Sequence, residues 1–243
     1  MSGLQVNNFQ RAAQWLQEAD AILLTASNGL SIAEGYHIFA DSDAYKTYFG
    51  KFREKYGTDC LIRGLFTPMT EADHAEYLAA VHRYLIEDYK GSAVMKDLLA
   101  LVQNKPYFIV TSNGDTHFQM NGFDAERIFE VEGNFDGLAE QSPAWRAEQQ
   151  RFSAFVSRYQ EQKILLFELG IGSRNQLIKA PTMEMAAEHP SWRFLTMNMP
   201  QGIRVLPALS GRAMALTGDI GENFQKLLGG LASVADAVTV PSF

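Results

Sequence analysis

The sequence has little cysteine and no long hydrophobic run. Cys60 is the single cysteine among 243 residues, so an intramolecular disulfide is impossible and a cysteine-built zinc site is nearly excluded. The longest apolar segment, 164–172, is interrupted by Glu168 and is shorter than the roughly 20 residues that a membrane-spanning helix needs. The N-terminal residues also lack the basic and apolar regions of a secretory signal. We therefore expect a cytoplasmic protein.

Basic residues are outnumbered, which limits the classes of partner. The 21 Lys and Arg residues against 28 Asp and Glu residues give a formal net charge of −7. Such a charge disfavours nucleic acid and anionic membranes as partners. The chain also has no H-E-x-x-H and no G-x-S-x-G motif, so metalloenzyme and serine-hydrolase functions lack support and we expect no metal site.

Short apolar segments alternate with stretches of helical periodicity along most of the chain. Each apolar segment ends at glycine, serine, asparagine or aspartate, and alternation of this kind is typical of a parallel sheet covered on both faces. We therefore predict an α/β fold with a Rossmann-like parallel sheet and helices on both faces. The predicted strands are 21–25, 107–111, 127–131, 163–169, 193–197 and 213–217.

Two stretches interrupt this alternation. Residues 41–100 are rich in Tyr, Phe, Glu and Lys with helical spacing, and residues 137–160 begin as a polar, irregular segment that then becomes helical in pattern. We predict that these two insertions pack together as a small helical module. The sheet domain would then comprise residues 1–40, 101–136 and 161–243.

Two glycine-containing loops are candidates for binding phosphate groups. Residues 25–31 (TASNGLS) follow the first predicted strand, and small side chains there would let a diphosphate approach backbone amides. Residues 170–175 (GIGSRN) carry two of the three glycines of a dinucleotide-binding fingerprint. Each loop alone is also compatible with a purely structural turn.

Other polar residues at strand ends have equally simple alternatives. Asn113 and Asp115 flank Gly114 and would also suit an Asx turn, whereas Glu132 would also suit an exposed surface position. The sequences 31–34 and 219–222 match capping boxes and predict helices that begin near Ser31 and Asp219.

The order of these motifs carries more information than any one of them. T-x-x-N-G-L-S, T-S-N-x-D, E-V-x-G, G-x-G-S, an isolated Asn and G-D follow one another along the chain. This order resembles the sirtuins, the Sir2-type NAD-dependent transferases. Residues 128–133 look like the sirtuin segment that ends in the catalytic histidine and glycine, and residues 118–127 resemble the linker that usually precedes it. Residues 177–181 look closest to the zinc-free and macrodomain-linked bacterial sirtuin-like proteins. The resemblance covers most of the chain and is thin in 41–100.

The resemblance implies that NAD is the cofactor and assigns roles by position. The residues expected at the diphosphate and ribose are Ala26, Ser27, Gly29 and Ser31. Those expected at the adenosine half are Gly170, Gly172, Ser173, Asn198, Asp219 and Ile220. Asn113 and Asp115 would lie at the nicotinamide side, and with Glu132 they form the candidate catalytic set.

The chain departs from the sirtuin pattern at three places. Glu132 stands where sirtuins place the catalytic histidine. Gln141 and Ala144 stand at positions suited to zinc-ribbon cysteines, so the small module would lack a zinc ribbon. Thr25 and Ser27 replace usual glycines, and we expect the Ser27 β-carbon to crowd the diphosphate.

Three functions follow from the resemblance. The first is an NAD-consuming transferase that cleaves the nicotinamide–ribose bond and passes ADP-ribose to a protein acceptor, because a carboxylate at Glu132 can stabilise positive charge on the ribose. The second is an NAD-dependent lysine deacylase acting on acylated proteins. The third is a degenerate sirtuin that only binds NAD or ADP-ribose.

Overall fold

Six parallel strands form one sheet in the order β3-β2-β1-β4-β5-β6. The computed structural model describes the backbone of residues 3–239 and the side chains of residues 8–232. This strand order is that of the doubly wound Rossmann sheet, which confirms the predicted fold class. The strands are β1 Ala21–Ala26, β2 Tyr107–Thr111, β3 Ile128–Glu130, β4 Ile164–Leu169, β5 Arg193–Asn198 and β6 Ala213–Thr217.

Helices cover both faces of the sheet. The helices are α1 Gly3–Glu18, α2 Asn28–Ala33, α3 Asp43–Tyr56, α4 Leu61–Phe66, α5 Glu71–His82, α6 Ala93–Val102, α7 His117–Met120, α8 Pro143–Tyr159, α9 Lys179–Glu188 and α10 Ile220–Thr239. A π-helical turn, Arg83–Glu87, continues α5. Within residues 3–239, no helix is both long and apolar enough to cross a membrane.

The two faces of the sheet bury separate apolar cores. Leu16 of α1, Leu98 of α6 and Phe224 of α10 pack on one face. Met183 of α9, with partly buried side chains of α8, packs on the other. Every residue of β1, β2 and β4 is buried, because strands covered on both faces have no solvent-exposed side. This burial explains why these strands read as continuous apolar runs.

The small module is an aromatic core formed by α3, α4, α5 and the π-turn. Phe49 lies at its centre, with its ring 5.1 Å from that of Tyr45 and 5.0 Å from that of Tyr77. The Tyr77 hydroxyl donates a hydrogen bond to the carbonyl oxygen of Leu61 at 2.7 Å. Cys60 is buried beside this core. Ring packing between consecutive helices therefore holds the described part of the module together.

The packing of two helices differs from the predicted division of the chain. Helix α8 lies within the insertion 137–160, yet Phe152 and Phe155 pack against Phe108 of β2. Helix α6 lies at the end of 41–100, yet it packs with α10 on the opposite face of the sheet. Both helices carry apolar faces that match exposed surfaces of the sheet layer better than the aromatic core of the module. The small module is therefore formed by the first insertion up to the π-turn.

Candidate functional site

The loop after β1 leads directly into a short helix. Helix α2 begins at Asn28 with Ser27 as its N-cap, one turn earlier than the capping box at Ser31 predicted. Ser27 is buried, its backbone N–H donates to the carbonyl oxygen of Leu169 at 3.2 Å, and its hydroxyl accepts from Ser112 at 2.9 Å. Ser31 is inside the helix and is free to make a contact elsewhere.

Two glycines bring the loops after β1 and β4 into contact. The backbone N–H of Gly29 donates to the carbonyl oxygen of Gly170 at 3.0 Å. A β-carbon on Gly29 would lie 2.4 Å from the Gly170 Cα atom, and Gly170 itself has a φ of +61°. β1 and β4 are the strands at which the order of the sheet reverses, and doubly wound folds bind ligands at this position.

A cavity of about 780 Å³ opens on one side of α2. It brings together eight of the predicted binding residues, although four strand-end segments contribute them. They are Ser27, Gly29, Gly170, Gly172, Ser173, Asn198, Asp219 and Ile220. Ala26 does not line it, because this residue is fully buried at the end of β1.

Two of these residues also hold the backbone that lines the cavity. The Asn198 amide donates to the carbonyl oxygen of Ile171 at 2.7 Å, which anchors the loop after β4. The Asp219 carboxylate accepts from the backbone N–H of Glu222 at 2.9 Å and caps α10, as the capping box predicts. Their roles in binding adenosine stay predictions.

A second cavity, of about 300 Å³, lies on the other side of α2 and shares Asn28 with the first. Ser31, Asn113, Asp115 and Glu132 line it, so the three candidate catalytic residues meet at one place. The opposite wall is apolar and comes from the small module. It is formed by Ile38, Leu61, Ile62, Phe66 and Leu85, together with Tyr36 and Phe135.

Asn113, which lines this smaller cavity, has a polar atom without a partner. The residue is 6% exposed, and its side-chain N–H donates to the carbonyl oxygen of Ser27 at 3.3 Å. Its Oδ1 atom is buried and accepts no hydrogen bond from the described residues. A buried acceptor without a partner costs about 1–3 kcal/mol, so such an atom in a cavity indicates a ligand that supplies the missing donor.

Asp115 is held in place by a network that sequence reasoning missed. Its carboxylate accepts from the Ser31 hydroxyl at 2.8 Å and from the backbone N–H of His117 at 3.1 Å. The His117 ring contacts Glu34 at 3.1 Å. The available signal in the sequence was the short spacing of Asp115 and His117. The residues that complete the network, Glu34 and Leu85, lie 83 and 32 positions away from His117.

The spacing of Glu34, Asp115 and His117 would also suit a metal ion, since one ligand atom from each lies within 4.8 Å of the others. Each of these atoms already has a protein partner, however. The Tyr89 hydroxyl donates to Glu34 at 2.6 Å, and the His117 ring nitrogens face Glu34 and the carbonyl oxygen of Leu85. The group is satisfied as a hydrogen-bond network.

Glu132 is exposed at the mouth of the smaller cavity. Desolvation by the cavity walls, with a smaller effect of the Glu140 carboxylate, raises the pKa of Glu132. Glu130, two residues earlier on β3, is 2% exposed. Burial raises the pKa of Glu130 to about 7, although hydrogen bonds from Asn134 and Gln119 act in the opposite direction.

A buried ion pair stabilises the loops around the larger cavity. The Lys179 ammonium donates to the Glu168 carboxylate at 2.7 Å and to the carbonyl oxygens of Ile171 and Gly202 at 3.2 and 2.9 Å. Both side chains are 1% exposed. The signal was Glu168 itself, because a carboxylate inside a buried strand requires a partner, but nothing in the sequence identifies Lys179 as that partner.

Comparison with known proteins places the chain beside the sirtuins. A solved structure described as "Structural Basis for the Mechanism and Regulation of Sir2 Enzymes" superposes with a TM-score of 0.55 at 11% identity, covering 94% of this chain and 99% of that one. The chain therefore has the sirtuin fold, as the order of its motifs predicted. No family model matches the chain.

Two curated relatives are similar in sequence. A "Protein ADP-ribosyltransferase" from Staphylococcus aureus is 23% identical over 264 aligned positions, which cover 84% of this chain and 82% of the relative. A "Probable bifunctional ADP-ribose hydrolase/ADP-ribosyltransferase" from Fusarium oxysporum f. sp. cubense is 30% identical over 132 positions, which cover 52% of this chain and 21% of the relative. Their names agree with the first of the three predicted functions.

Proposed function

We propose that this protein binds NAD across the two cavities, cleaves its nicotinamide–ribose bond and transfers ADP-ribose to a protein acceptor. The observation that carries the proposal is that Asn113, which lines the smaller cavity, has a buried Oδ1 atom without a partner among the described residues. An amide or hydroxyl donor of the nicotinamide riboside would supply the hydrogen bond that this atom lacks. The names of the two relatives, both ADP-ribosyltransferases, support the same reaction.

The chain's residues suit a dinucleotide divided between the cavities. The contact of Gly29 with Gly170 leaves bare backbone at the switch point, where a diphosphate can approach closely. The larger cavity would hold the adenosine half, and the smaller cavity the nicotinamide half. The Ser27 hydroxyl is bound to Ser112, so this side chain is held at the base of the loop.

The nicotinamide ring of NAD carries a positive charge. When its bond to the ribose C1′ breaks, the ring nitrogen keeps the electron pair, and nicotinamide leaves as a neutral molecule. The acceptor nucleophile then forms the new bond to C1′ and releases its proton. The carboxylates of Asp115 and Glu132 line the cavity where positive charge develops, and they would stabilise it. The upward shift of the Glu132 pKa also makes its carboxylate a stronger base for the acceptor's proton.

The other two functions have less support. A sirtuin deacylase uses a histidine as its base, and among the described residues that line the smaller cavity there is no histidine. A protein that only binds NAD or ADP-ribose has little need of the Asn113 and Asp115 side chains at the nicotinamide side.

A single, buried cysteine suits a reducing compartment, so we place the reaction in the cytoplasm.

Nicotinamide release measured by chromatography tests the proposal. The purified protein is incubated with NAD, with and without a lysate of its source organism, and protein-bound ADP-ribose is followed on a gel. We expect release that depends on lysate and a labelled protein band. Release that depends on an acylated peptide, with O-acyl-ADP-ribose as product, would instead establish the deacylase.

Replacing the candidate base gives a sharper result. Glu132→Gln keeps the shape of the side chain and removes its charge, so we expect ADP-ribosyl transfer to fall at least about tenfold. The matched control is Glu161→Gln, an exposed residue before β4 at the opposite edge of the sheet, which should retain full activity. Undiminished transfer in Glu132→Gln would exclude the role that we assign to Glu132.

A further inference from the structure

A histidine-centred network beneath the smaller cavity connects three separate elements. His117, the first residue of α7, is 1% exposed. Its Nε2 atom lies 2.8 Å from the carbonyl oxygen of Leu85 in the π-turn, and its Nδ1 atom lies 3.1 Å from the carboxylate of Glu34, which follows α2. The Tyr89 ring stacks on the imidazole with 3.7 Å between ring centroids.

The hydrogen-bond partners fix the protonation of the ring. A carbonyl oxygen only accepts, so Nε2 carries a hydrogen that it donates to Leu85. Nδ1 faces the Glu34 carboxylate and lies 3.7 Å from that of Asp115, so a bare lone pair there would meet only acceptors. The Tyr89 hydroxyl donates to the other Glu34 oxygen at 2.6 Å, so both oxygens of Glu34 have a partner. His117 is therefore an imidazolium paired with Glu34.

The surrounding titratable groups support this assignment. Burial lowers the pKa of His117, but Glu34 and Asp115 outweigh burial, and the net effect raises the pKa. Tyr36 packs its ring edge at 4.8 Å from the imidazole, and burial raises the pKa of Tyr36 and of Tyr89, so both hydroxyls stay neutral. The charges that face His117 are thus those of the two carboxylates.

The Asp115 carboxylate lies beside the imidazole ring, with 3.7 Å between its Oδ2 atom and Nδ1 of His117. One of its oxygens accepts from the backbone N–H of His117, and the other accepts from Ser31 on α2. Glu34 balances the charge of the imidazolium, so the cluster of Glu34, Asp115 and His117 retains one negative charge. This charge lies on Asp115, which lines the cavity.

We propose that His117 is a positioning residue that, as an imidazolium, joins the small module to α2 and holds the Asp115 carboxylate at the nicotinamide side of the site. This inference rests on the proposed function, because the orientation of Asp115 matters most for cleavage of the nicotinamide–ribose bond. The same contact makes the π-turn of the small module a part of the site, since the carbonyl oxygen of Leu85 accepts directly from the imidazole.

His117→Gln is the most direct test. Glutamine still donates a hydrogen bond toward Leu85 but carries no charge. We expect kcat for nicotinamide release to fall at least tenfold while the affinity for ADP-ribose, which lacks nicotinamide, changes less than threefold. In the double variant His117→Gln/Glu34→Gln the unpaired buried charge is removed as well, and we expect at least a threefold recovery of kcat.

The control is His189→Gln at the end of α9. His189 also stacks on an aromatic ring, that of Trp192 at 4.8 Å, and its Nδ1 atom contacts the carbonyl oxygen of Met185 at 2.8 Å. It lies outside both cavities, so its replacement should leave kcat unchanged. A parallel loss of kcat and ADP-ribose affinity in His117→Gln, or a double variant no better than the single one, would overturn the positioning role.

Nitrogen NMR of the wild-type histidine rings gives a readout that does not depend on activity. We expect both ring nitrogens of His117 to be protonated at pH 7, and a neutral ring with a bare Nδ1 would overturn the inference. If the wild type releases no nicotinamide, the proposed function fails. The positioning role of His117 is then tested by the ratio of the affinities for NAD and for ADP-ribose. A selective loss of NAD affinity in His117→Gln, of threefold or more, supports the positioning role, and an unchanged ratio refutes it.

Discussion

At the scale of single residues, replacing Asn113 should reduce activity without a large loss of stability. Its Oδ1 atom is buried without a partner among the described residues, so the folded protein gains little from it. We expect Asn113→Ala to change the free energy of unfolding by less than about 1 kcal/mol, because the bond to Ser27 is lost together with an unsatisfied acceptor. Nicotinamide release should nevertheless fall at least tenfold, as measured beside urea denaturation of the same sample.

Asn104→Ala is the matched control, since Asn104 is exposed before β2 at the opposite edge of the sheet. It should leave both the stability and the rate unchanged. A large loss of stability in Asn113→Ala would instead make Asn113 a structural turn residue, the simpler alternative that its neighbour Gly114 allows.

At the scale of elements, the contact of the loops after β1 and β4 depends on a glycine. A methyl group at Gly29 would lie 2.4 Å from the Gly170 Cα atom, so the two loops must separate. We expect Gly29→Ala to lower the free energy of unfolding by about 1–3 kcal/mol, by the ordinary cost of overpacking, and to abolish NAD binding. Thermal unfolding and titration with NAD measure the two effects.

Gly172→Ala, in the same loop, is the control for stability. Nothing lies within 4 Å of a β-carbon built at Gly172, and its φ is not in the left-handed region. Its free energy of unfolding should therefore change by less than about 0.5 kcal/mol. Equal stabilities of the two variants would show that the loops can separate without cost.

At the scale of the whole molecule, the buried ionisable groups predict higher stability on the acid side of neutrality. Burial raises the pKa of Glu130 from 4.5 to about 7, and the net shift of His117 is also upward. Stability from a raised pKa is complete below the unfolded value and is lost as the pH rises through the folded value. The melting temperature should therefore fall between pH 5.5 and pH 8. Glu130 alone should lower the free energy of unfolding by about 2 kcal/mol between these two pH values.

Glu130→Gln isolates this contribution. Glutamine mimics the neutral acid and can still accept from Asn134 and Gln119, so we expect a flatter dependence of the melting temperature on pH. Glu71→Gln, an exposed residue in the first turn of α5, should retain the wild-type slope. A wild-type melting temperature that rises from pH 5.5 to pH 8 would contradict the prediction.

The sheet, and the edge at which its strand-end motifs meet, could be predicted because their signals are local. Short apolar runs that end at turn-forming residues mark the strands, so the predicted ranges 107–111 and 213–217 agree with β2 and β6 at both ends. The motifs after the strands meet because the carboxyl ends of parallel strands share one edge. Helix α8 could not be placed in the same way, because an amphipathic helix shows which of its faces is buried but not what covers it.

The sequence by itself determined the sheet and the order of the strand-end motifs, since both depend on residue type and spacing. Only the tertiary structure decided what the polar side chains do. Ser31 binds Asp115 rather than capping a helix, and His117 meets Glu34 and Leu85 from distant parts of the chain. A hydrogen bond requires its two atoms to be placed to within a few tenths of an ångström. Periodicity along the sequence contains no information at that scale.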